Sequence, residues 1–428
     1  MHILNKTKKL VNTEFGNNVL VLLTGTGIAQ IIPIAISPIL TRIYAPDDFG
    51  LLGLYVACST ILSVFSSGRY DLAIIEPKFH IDAKRLVVIS IILSVLFSCF
   101  LFLLVLLFND SITNLLKNES ISNWLYLLPI SVFVLSCYSV FSFWLNRNKN
   151  YKAMSVNRII SSTLTSIISL LFGFLNLIHG GLIFGLFFGQ IITTYLLFRN
   201  NTDRSFEFNS KKSFVLIKKY IHYPKFLLPS TFAGEIASNI PVILISIWYS
   251  SSITGFFSLA NRVIAMPFSI IGNAIGEVYR QKAAEEYNDF GNCKVLFTGT
   301  LKKLVFLSLF PFCFLFFWGE YLFSLVFGDE WKIAGIISES LSFLVFFQLI
   351  STPLSYTITF NKSQKLDLYL QIFRVIFSII SLYVGFKYFN DYIISIKLYS
   401  LTYSLYYVLH SIIQYRAAAG YSNKFLLK

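Results

Sequence analysis

The stretch LVVISIILSVLFSCFLFLLVLLF, residues 86–108, decides the fold class of this chain. It runs for 23 residues without one charged side chain. A transmembrane α-helix needs about 20 consecutive, mostly apolar residues, so this stretch is long enough to cross a bilayer. A strand of a membrane β-barrel would be shorter and would alternate apolar with polar residues. The stretch therefore predicts a helical membrane protein.

The composition of the whole chain extends this prediction to most of its length. Of 428 residues, 55% are hydrophobic, 13% are charged and 44 are phenylalanine, whereas soluble domains carry about 25% charged residues. Most of this apolar surface must face lipid. The five cysteines and five histidines are scattered, without a C-x-x-C motif. We therefore expect neither a disulfide framework nor a metal site.

We predict an all-α polytopic membrane protein with about twelve spans in two six-helix lobes. The expected lobes are residues 1–198 and 226–428, joined by a cytoplasmic linker at 199–225. The predicted spans are 18–40, 48–67, 86–108, 123–145, 155–176, 180–198, 226–248, 254–277, 302–320, 334–358, 367–387 and 392–414.

Basic residues are distributed unevenly between the two sides of this predicted topology. Of the 35 lysines and arginines, 28 fall on the side of the termini and four on the opposite side. Cytoplasmic loops of membrane proteins carry such an excess, so we expect both termini in the cytoplasm. The net charge of +14 is thereby explained without a nucleic-acid partner. The loops on the outer side are too short for a soluble domain.

The second half of the chain repeats the first. IIPIAISPILTRIYAPDDFGLLGLY (31–55) matches NIPVILISIWYSSSITGFFSLA (239–260), with Gly50 aligned on Gly255. LNRNKNYKAMSVNRII (145–160) matches FNKSQKLDLYLQIFRVI (360–376), with Asn146 on Asn361 and Arg158 near Arg374. A duplication of six spans gives two halves of equal orientation, related by an axis along the membrane normal. Such halves are typical of alternating-access transporters.

The linker contains KKSFVLIKKYIHY, residues 211–223, in which lysines and apolar residues recur at helical spacing. This pattern predicts an amphipathic helix on the inner leaflet, with a solvated linker as the alternative. The sixth span contains Gly181, Gly185 and Gly189 at intervals of four residues, which favours close helix packing.

Four stretches, in this order, resemble the polysaccharide flippases of the multidrug/oligosaccharidyl-lipid/polysaccharide exporter superfamily. They are LTRIYAPDDFGLLGLY (40–55), GRYDLAIIEPK (68–78), NRVIAMPFSIIGNAIGEVYRQKAAE (261–285) and FGDEWKIAG (327–335). The resemblance covers nearly the whole chain. It implies two six-helix lobes that rock around a central cavity.

The resemblance also implies a function and a location. Members of this group move an undecaprenyl-pyrophosphate-linked oligosaccharide, such as an O-antigen repeat unit, from the inner to the outer leaflet of the bacterial plasma (inner) membrane. The implied partners are this lipid-linked substrate, membrane lipids, a polysaccharide polymerase and a chain-length regulator. The chain contains no G-x-x-x-x-G-K-[ST] motif for ATP. We expect no enzymatic activity and no cofactor beyond a coupling ion, H⁺ or Na⁺.

The cargo's pyrophosphate would need fixed cations in a water-filled groove, and arginine suits phosphate because its planar fork is always charged. Arg262 and Arg374 lie within predicted spans, where a charge faces a cavity or a partner. We expect them to bind substrate, with structural pairing to a carboxylate as the alternative. Arg158 is a further candidate unless it snorkels to the inner interface. Arg42 is a candidate on an outer turn, which it could instead stabilise with nearby acids.

Glu235 is the acid deep in a predicted span and is our candidate for ion coupling. The alternative is a salt bridge to Arg262 or Arg374. Asp71 and Glu277 end the second and eighth spans at matching places, and with Arg69 they are candidates for a cytoplasmic gate. Solvated charges are the alternative for these three residues.

Two other classes of function remain open at the level of sequence. A multidrug or small-metabolite exporter of the same superfamily is disfavoured because the first span, 19–40, contains no acid. A membrane glycosyltransferase or polymerase is disfavoured because the outer loops are short and the acids at 285–289 lack D-x-D spacing.

Overall fold

The protein is described here by a computed structural model. The structure describes residues 14–175, 180–200, 210–360 and 364–420. The basic N-terminal tail, part of the predicted linker at 201–209, Asn361 of the predicted repeat and the C-terminal tail lie outside the described residues.

Twelve long helices make up most of the described chain, in agreement with the predicted spans. The first six are α1 (Glu14–Leu40), α2 (Pro46–Ser66), α3 (His80–Leu116), α4 (Leu128–Arg147), α5 (Tyr151–Phe174) and α6 (Gly181–Arg199). The second six are α7 (Leu228–Trp248), α8 (Ser251–Phe290), α9 (Lys294–Phe327), α10 (Lys332–Ser351), α11 (Gln364–Val384) and α12 (Tyr392–Ala418). The predicted all-α membrane fold is confirmed.

Several helices are longer than the spans predicted from hydropathy. α8 has 40 residues, which corresponds to about 60 Å at 1.5 Å per residue, twice the thickness of a hydrocarbon core. Hydropathy marks only the apolar part of such a helix, because its polar continuation has no apolar signal. α3 has 37 residues and contains non-helical backbone angles at Phe108, where the predicted span ends.

Eleven described helices are long and apolar enough to cross a membrane. α12 is not among them although it has 27 residues. Its sequence is rich in tyrosine and serine, which lower its mean hydropathy, and many of these side chains are buried. α12 is therefore a long helix whose polar residues face protein.

The chain divides into two compact units. Unit 1 comprises Met1–Tyr44 and Leu54–Phe232, and unit 2 comprises Ala45–Gly53 and Ala233–Lys428. α2 thus begins in unit 2 and continues in unit 1.

In unit 1, α5 packs along both α1 and α6. Small residues allow this close approach. A Cβ atom added at Gly185 would lie 2.0 Å from Ser169 Oγ, and one at Gly189 would lie 2.3 Å from Thr165 Oγ1. The predicted packing role of the glycines on α6 is confirmed.

In unit 2, α10 packs against α8, α9 and α12. The first turns of α2 and α8 also meet there, and two glycines make this contact possible. A Cβ atom at Gly50 would lie 1.9 Å from the Ser251 carbonyl oxygen, and one at Gly255 would lie 1.9 Å from the Pro46 carbonyl oxygen. The two glycines that the sequence repeat aligns therefore lie at one reciprocal helix crossing, which we call the glycine crossing.

The motif at 327–335 lies beside the glycine crossing in unit 2. Its Trp331 is 1% exposed and packs edge-on between Phe49, at a centroid distance of 5.0 Å, and Phe256, at 5.5 Å. Such edge-to-face pairs stabilise beyond the area that they bury. The motif therefore joins α2, α8 and the start of α10.

Candidate functional site

Arg374 lies at a junction of three helices in unit 2. Its Nη2 donates hydrogen bonds to Ser238 Oγ at 2.8 Å and to the Gly234 carbonyl at 3.4 Å, both on α7. The guanidinium lies over the ring of Tyr403 on α12, 5.4 Å from its centroid, within the range of a cation–π interaction. α11 thus holds a cation against a hydroxyl, a carbonyl and an aromatic face.

The donors of Arg374 are only partly used. A guanidinium has five N–H donors, and its buried Nε has no hydrogen-bond partner in the described part of the chain. The structure also describes no ion pair for Arg374. The side chain therefore retains both its net charge and donors for a further acceptor.

Arg158 occupies a comparable position in unit 1. It projects from α5, and its Nη1 donates to Thr26 Oγ1 on α1 at 2.5 Å. Each unit thus places an arginine of its fifth helix against the first helix of the same half, as the sequence repeat of Arg158 and Arg374 predicts.

Arg262 is half-buried on α8, with no hydrogen bond or ion pair among the described residues. It lies 11 residues beyond the first residue of this helix, or about 17 Å along its axis. The alternative of a salt bridge to Glu235 is not seen. A half-buried cation that has no partner in the described part of the chain is suited to bind an anion from outside the chain.

Glu235 is half-buried on α7, one residue after the carbonyl that Arg374 contacts. Its carboxylate accepts a hydrogen bond from Asn239 Nδ2 at 3.2 Å, one turn further along the helix. No described arginine lies within ion-pair distance of it. The expected alternative, a salt bridge to Arg262 or Arg374, is not formed, and the carboxylate remains free to bind a proton or a cation.

The three residues of the predicted gate differ from one another. Asp71 is 1% exposed, and its two oxygens accept hydrogen bonds from Ser67 at 2.8 Å and Ser139 at 2.7 Å. Arg69 has a left-handed backbone (φ 63°) and forms no described ion pair with this carboxylate. Glu277 is exposed on α8. Asp71 is therefore not a solvated charge, and no described contact joins it to Arg69.

Arg42 is exposed in the turn after α1 and forms no ion pair with any described residue. The acids that follow use their carboxylates elsewhere. Asp48 accepts a hydrogen bond from the Ala45 N–H at 3.0 Å, and Asp47 accepts one from Ser252 Oγ at 2.8 Å. The alternative that Arg42 stabilises this turn by an ion pair is thus not supported by the described contacts, and its predicted role in substrate binding stays a prediction.

Sequence reasoning missed the role of Arg147, at the end of α4. Its guanidinium donates to the carbonyls of Ile74 at 3.1 Å, Ile75 at 2.9 Å and Pro77 at 2.6 Å. These carbonyls follow the short helix Tyr70–Ala73. The motif at 68–78 is thereby fixed to α4, an interaction that no spacing in the sequence indicates.

The same motif holds the linker helix Ser210–Lys219. The Tyr70 hydroxyl donates to the Ile217 carbonyl at 3.1 Å, and burial raises the pKa of Tyr70, so that it stays a donor. The Tyr223 hydroxyl donates to Glu76 Oε1 at 2.7 Å. The opposite face of the linker helix exposes Phe214 and Val215. The amphipathic helix that the sequence predicts is present and attached to unit 1.

The family of the chain follows from its similarity to known proteins. A family model described as polysaccharide biosynthesis protein matches residues 39–336, which is more than half of the chain. The chain belongs to this polysaccharide biosynthesis protein family.

One curated relative of this chain is the capsular polysaccharide biosynthesis protein CapF from Staphylococcus aureus. It is 30% identical over 157 residues, which cover 35% of this chain and 39% of that relative's length. The match therefore spans less than half of either protein.

Solved structures share the fold over most of this family member's length. The lipid II flippase MurJ, in an inward closed conformation, aligns with a TM-score of 0.72 at 14% identity, covering 92% of this chain and 86% of that chain. An inward-facing multidrug resistance MATE family transporter of the MOP superfamily aligns with a TM-score of 0.63 at 13% identity, covering 92% and 93%. The chain is a multi-pass membrane protein, and it shares its fold with these two structures.

Proposed function

We propose that this protein translocates an undecaprenyl-pyrophosphate-linked oligosaccharide from the inner to the outer leaflet of the bacterial plasma membrane. Family membership and the flippase-like fold support the class of activity. The observation that supports the choice of cargo is a set of three arginines that lie inside predicted membrane spans and form no described ion pair. They are Arg158, Arg262 and Arg374.

The chemistry of the cargo fits this set. A pyrophosphate that links a lipid to a sugar carries two negative charges at neutral pH, and its oxygens are strong hydrogen-bond acceptors. Charge-assisted hydrogen bonds from a guanidinium are roughly twice as strong as neutral ones, and the planar fork can donate two at once. Among the described residues, no group accepts from the Nε of Arg374, and none accepts from the guanidinium of Arg262. Each is therefore suited to replace part of the hydration that the headgroup loses in the membrane.

Coupling to an ion gradient completes the proposal. Glu235 lies on α7 beside the Arg374 contact and has no cationic partner among the described residues. We propose that it binds H⁺ or Na⁺ during the cycle. In a cell that assembles surface glycan, the product would pass to a polymerase and a chain-length regulator on the outer side.

Translocation can be measured with purified protein in liposomes that contain the lipid-linked oligosaccharide with a fluorescent glycan. A membrane-impermeant quencher reports the fraction exposed outside over time. We expect the parent to raise this fraction above that in protein-free liposomes.

Arginine variants test the carrying observation. Arg374→Ala and Arg262→Ala should each slow the initial rate at least tenfold, or about 1.4 kcal/mol. Arg374→Lys and Arg262→Lys should be intermediate, because an ammonium keeps the charge but loses the fork. Lys397→Ala is the matched control, since this cation also lies on a long helix but is exposed.

Two results would contradict the proposal. One is an unchanged rate in both alanine variants that insert and accumulate normally. The other is export of small organic cations by the parent without movement of the lipid-linked glycan, which would favour the drug exporter.

A further inference from the structure

α12 carries a polar row that our sequence analysis did not assign. The buried members of this row are Tyr399, Tyr403, Tyr406, Tyr407, His410 and Gln414. Polar side chains are rare in membrane-spanning helices unless they have partners or a function. His410 and Gln414 lie one turn apart, toward the end of the helix.

His410 is held in one protonation state by its neighbours. Its Nδ1 lies 2.8 Å from Gln414 Nε2 and 2.8 Å from Ser351 Oγ. Gln414 Nε2 also donates to the Ser351 carbonyl at 3.0 Å. A carbonyl can only accept, so the amide NH₂ faces this side. Nδ1 must therefore accept from the amide, and the ring is neutral, with its proton on Nε2.

The same amide has an unused acceptor. Gln414 Oε1 is buried and has no hydrogen-bond partner within the described residues. A buried amide oxygen without a donor costs roughly 1–3 kcal/mol, and Gln414 is fully buried. Gln414 Oε1 is thus an unused acceptor that lies one turn from His410. A protonated imidazole ring would need such an acceptor.

Protonation of His410 would reverse the hydrogen bonding in this cluster. With a proton on Nδ1, the ring would present an N–H to the amide NH₂, and two donors repel. Rotation of the Gln414 amide by half a turn brings Oε1 to Nδ1–H and satisfies both. The Ser351 carbonyl then loses its donor. Ser351 is the last residue of α10, so this end of the helix loses one of its hydrogen bonds to α12, while Ser351 Oγ can still accept from the ring.

We infer that His410 is a proton-binding site of unit 2, and that its occupancy switches the Gln414 amide and thereby controls the contact between α10 and α12. Burial of the ring and, among the described residues, the charge of Arg374 on the neighbouring helix α11 both oppose a second positive charge there. Tyr406, on α12 itself, stacks on the ring at 5.6 Å. The group that faces it from α10, Ser351, does not titrate in this range.

This site differs from the one proposed at Glu235. A carboxylate accepts either H⁺ or Na⁺, whereas an imidazole at this position has a single lone pair and takes a proton. The role of His410 in transport rests on the proposed function. Its ability to bind a proton does not depend on that function.

The first experiment needs no cargo. Nitrogen-15 spectra of the full-length protein, labelled in histidine and glutamine, report the tautomer of each ring, and His410→Gln assigns the signal. We expect the Nε2–H tautomer at neutral pH, and a Gln414 side-chain amide signal that shifts together with the ring as pH falls. A ring that carries its proton on Nδ1, or an amide signal that stays constant while the ring titrates, would overturn the inference.

A second variant guards against misfolding of His410→Gln. Gln414→Met keeps the histidine and the side-chain length but removes the amide. The ring signal should then lose its fixed tautomer and show both neutral forms. Retention of the pure Nε2–H form in Gln414→Met would show that the amide does not set the ring and would count against the switch.

Transport in proteoliposomes supplies the second experiment. An imposed proton gradient should stimulate the parent and the control His222→Gln, whose histidine is exposed in the linker. His410→Gln and Gln414→Met should translocate at the parent's rate without a gradient but show no proton stimulation. Equal stimulation of both variants and the parent would refute a role in coupling. A parent that moves no glycan would refute the proposed function, while the spectra still decide the proton site.

Discussion

Substitution of Gly255 by alanine tests the glycine crossing of α2 and α8. The added Cβ would lie 1.9 Å from the Pro46 carbonyl oxygen, 2.8 Å from its carbon and 3.0 Å from the Gly50 nitrogen. Real Cβ atoms essentially never approach a heavy atom closer than 3.0 Å. The neighbour is backbone and cannot rotate away, so the two helices must separate locally by about 1 Å.

The energetic cost follows from this displacement. Insertion of a methyl group into a close-packed contact costs roughly 1–3 kcal/mol when the surroundings must shift. The Trp331 contacts with Phe49 and Phe256 span the same helices and would loosen with them. We therefore expect a destabilisation at the upper end of this range.

The assay is the midpoint of thermal unfolding in detergent, followed by tryptophan fluorescence. Gly255→Ala should lower the midpoint by several degrees. Gly299→Ala is the matched control, because a Cβ there meets nothing within 4 Å. This residue lies inside α9, where alanine is favoured over glycine by about 1 kcal/mol, so the control should be neutral or slightly stabilised.

The double variant sharpens the test. Gly50→Ala and Gly255→Ala act on the same contact, so once one methyl has parted the helices the second needs less room. Their combined cost should fall short of the sum of the single costs. A midpoint of Gly255→Ala equal to that of Gly299→Ala would refute the close approach.

Glu235→Gln should translocate normally without a gradient but lose stimulation by both sodium and proton gradients; retained stimulation would place ion coupling elsewhere. Arg147→Ala should destabilise unit 1 by roughly 1.5–3 kcal/mol, because three carbonyls lose a charged donor, and an unchanged unfolding midpoint would count against this role. In a background without native cysteines, a thiol reagent added outside intact cells should label Lys117→Cys and Lys332→Cys but not Ser210→Cys, and the reverse pattern would invert the predicted orientation.

The sequence predicts the helices well because the signal is strong and local. Each predicted span overlaps one long helix, since about 20 apolar residues leave few alternatives to a membrane-spanning helix. The repeat aligns Gly50 with Gly255, but it does not predict that the helices carrying these two glycines cross. The polar ends of α8 and α9 were not predicted, because hydropathy identifies apolar segments and does not distinguish a polar helix from a polar loop.

The candidate site was predicted less completely, for a physical reason. Arg262 and Arg374 could be found because a charge in an apolar span is conspicuous. The partners of Arg374 could not be found, since Tyr403 lies on another helix, distant in sequence from Arg374. The burial of Asp71 could not be predicted either, because one of its serine partners, Ser139, is distant in sequence and nothing in the sequence brings it to this carboxylate.

The motifs that carry the family resemblance also have identifiable roles. The stretch 68–78 holds the linker helix through Tyr70 and Glu76, and 327–335 inserts Trp331 between two helices. These are packing roles, so such motifs identify the fold without specifying a sugar. Arg262, which lies in the motif at 261–285, has no described partner. Among the charged residues of these motifs it is our candidate for binding a ligand.

The glycine crossing bears on how such a chain could have arisen. Ser251 corresponds to Pro46 in the repeat and Ser252 to Asp47, and at this crossing the Ser252 hydroxyl donates to the Asp47 carboxylate at 2.8 Å. In a homodimer of an ancestral half-length chain, symmetry would place the same residue on both sides of the axis, aspartate against aspartate or serine against serine. Fusion of two gene copies removes that constraint. After fusion, one copy can keep the acid while the other acquires its hydrogen-bond donor, so an interface inherited as self-complementary becomes one of unlike partners.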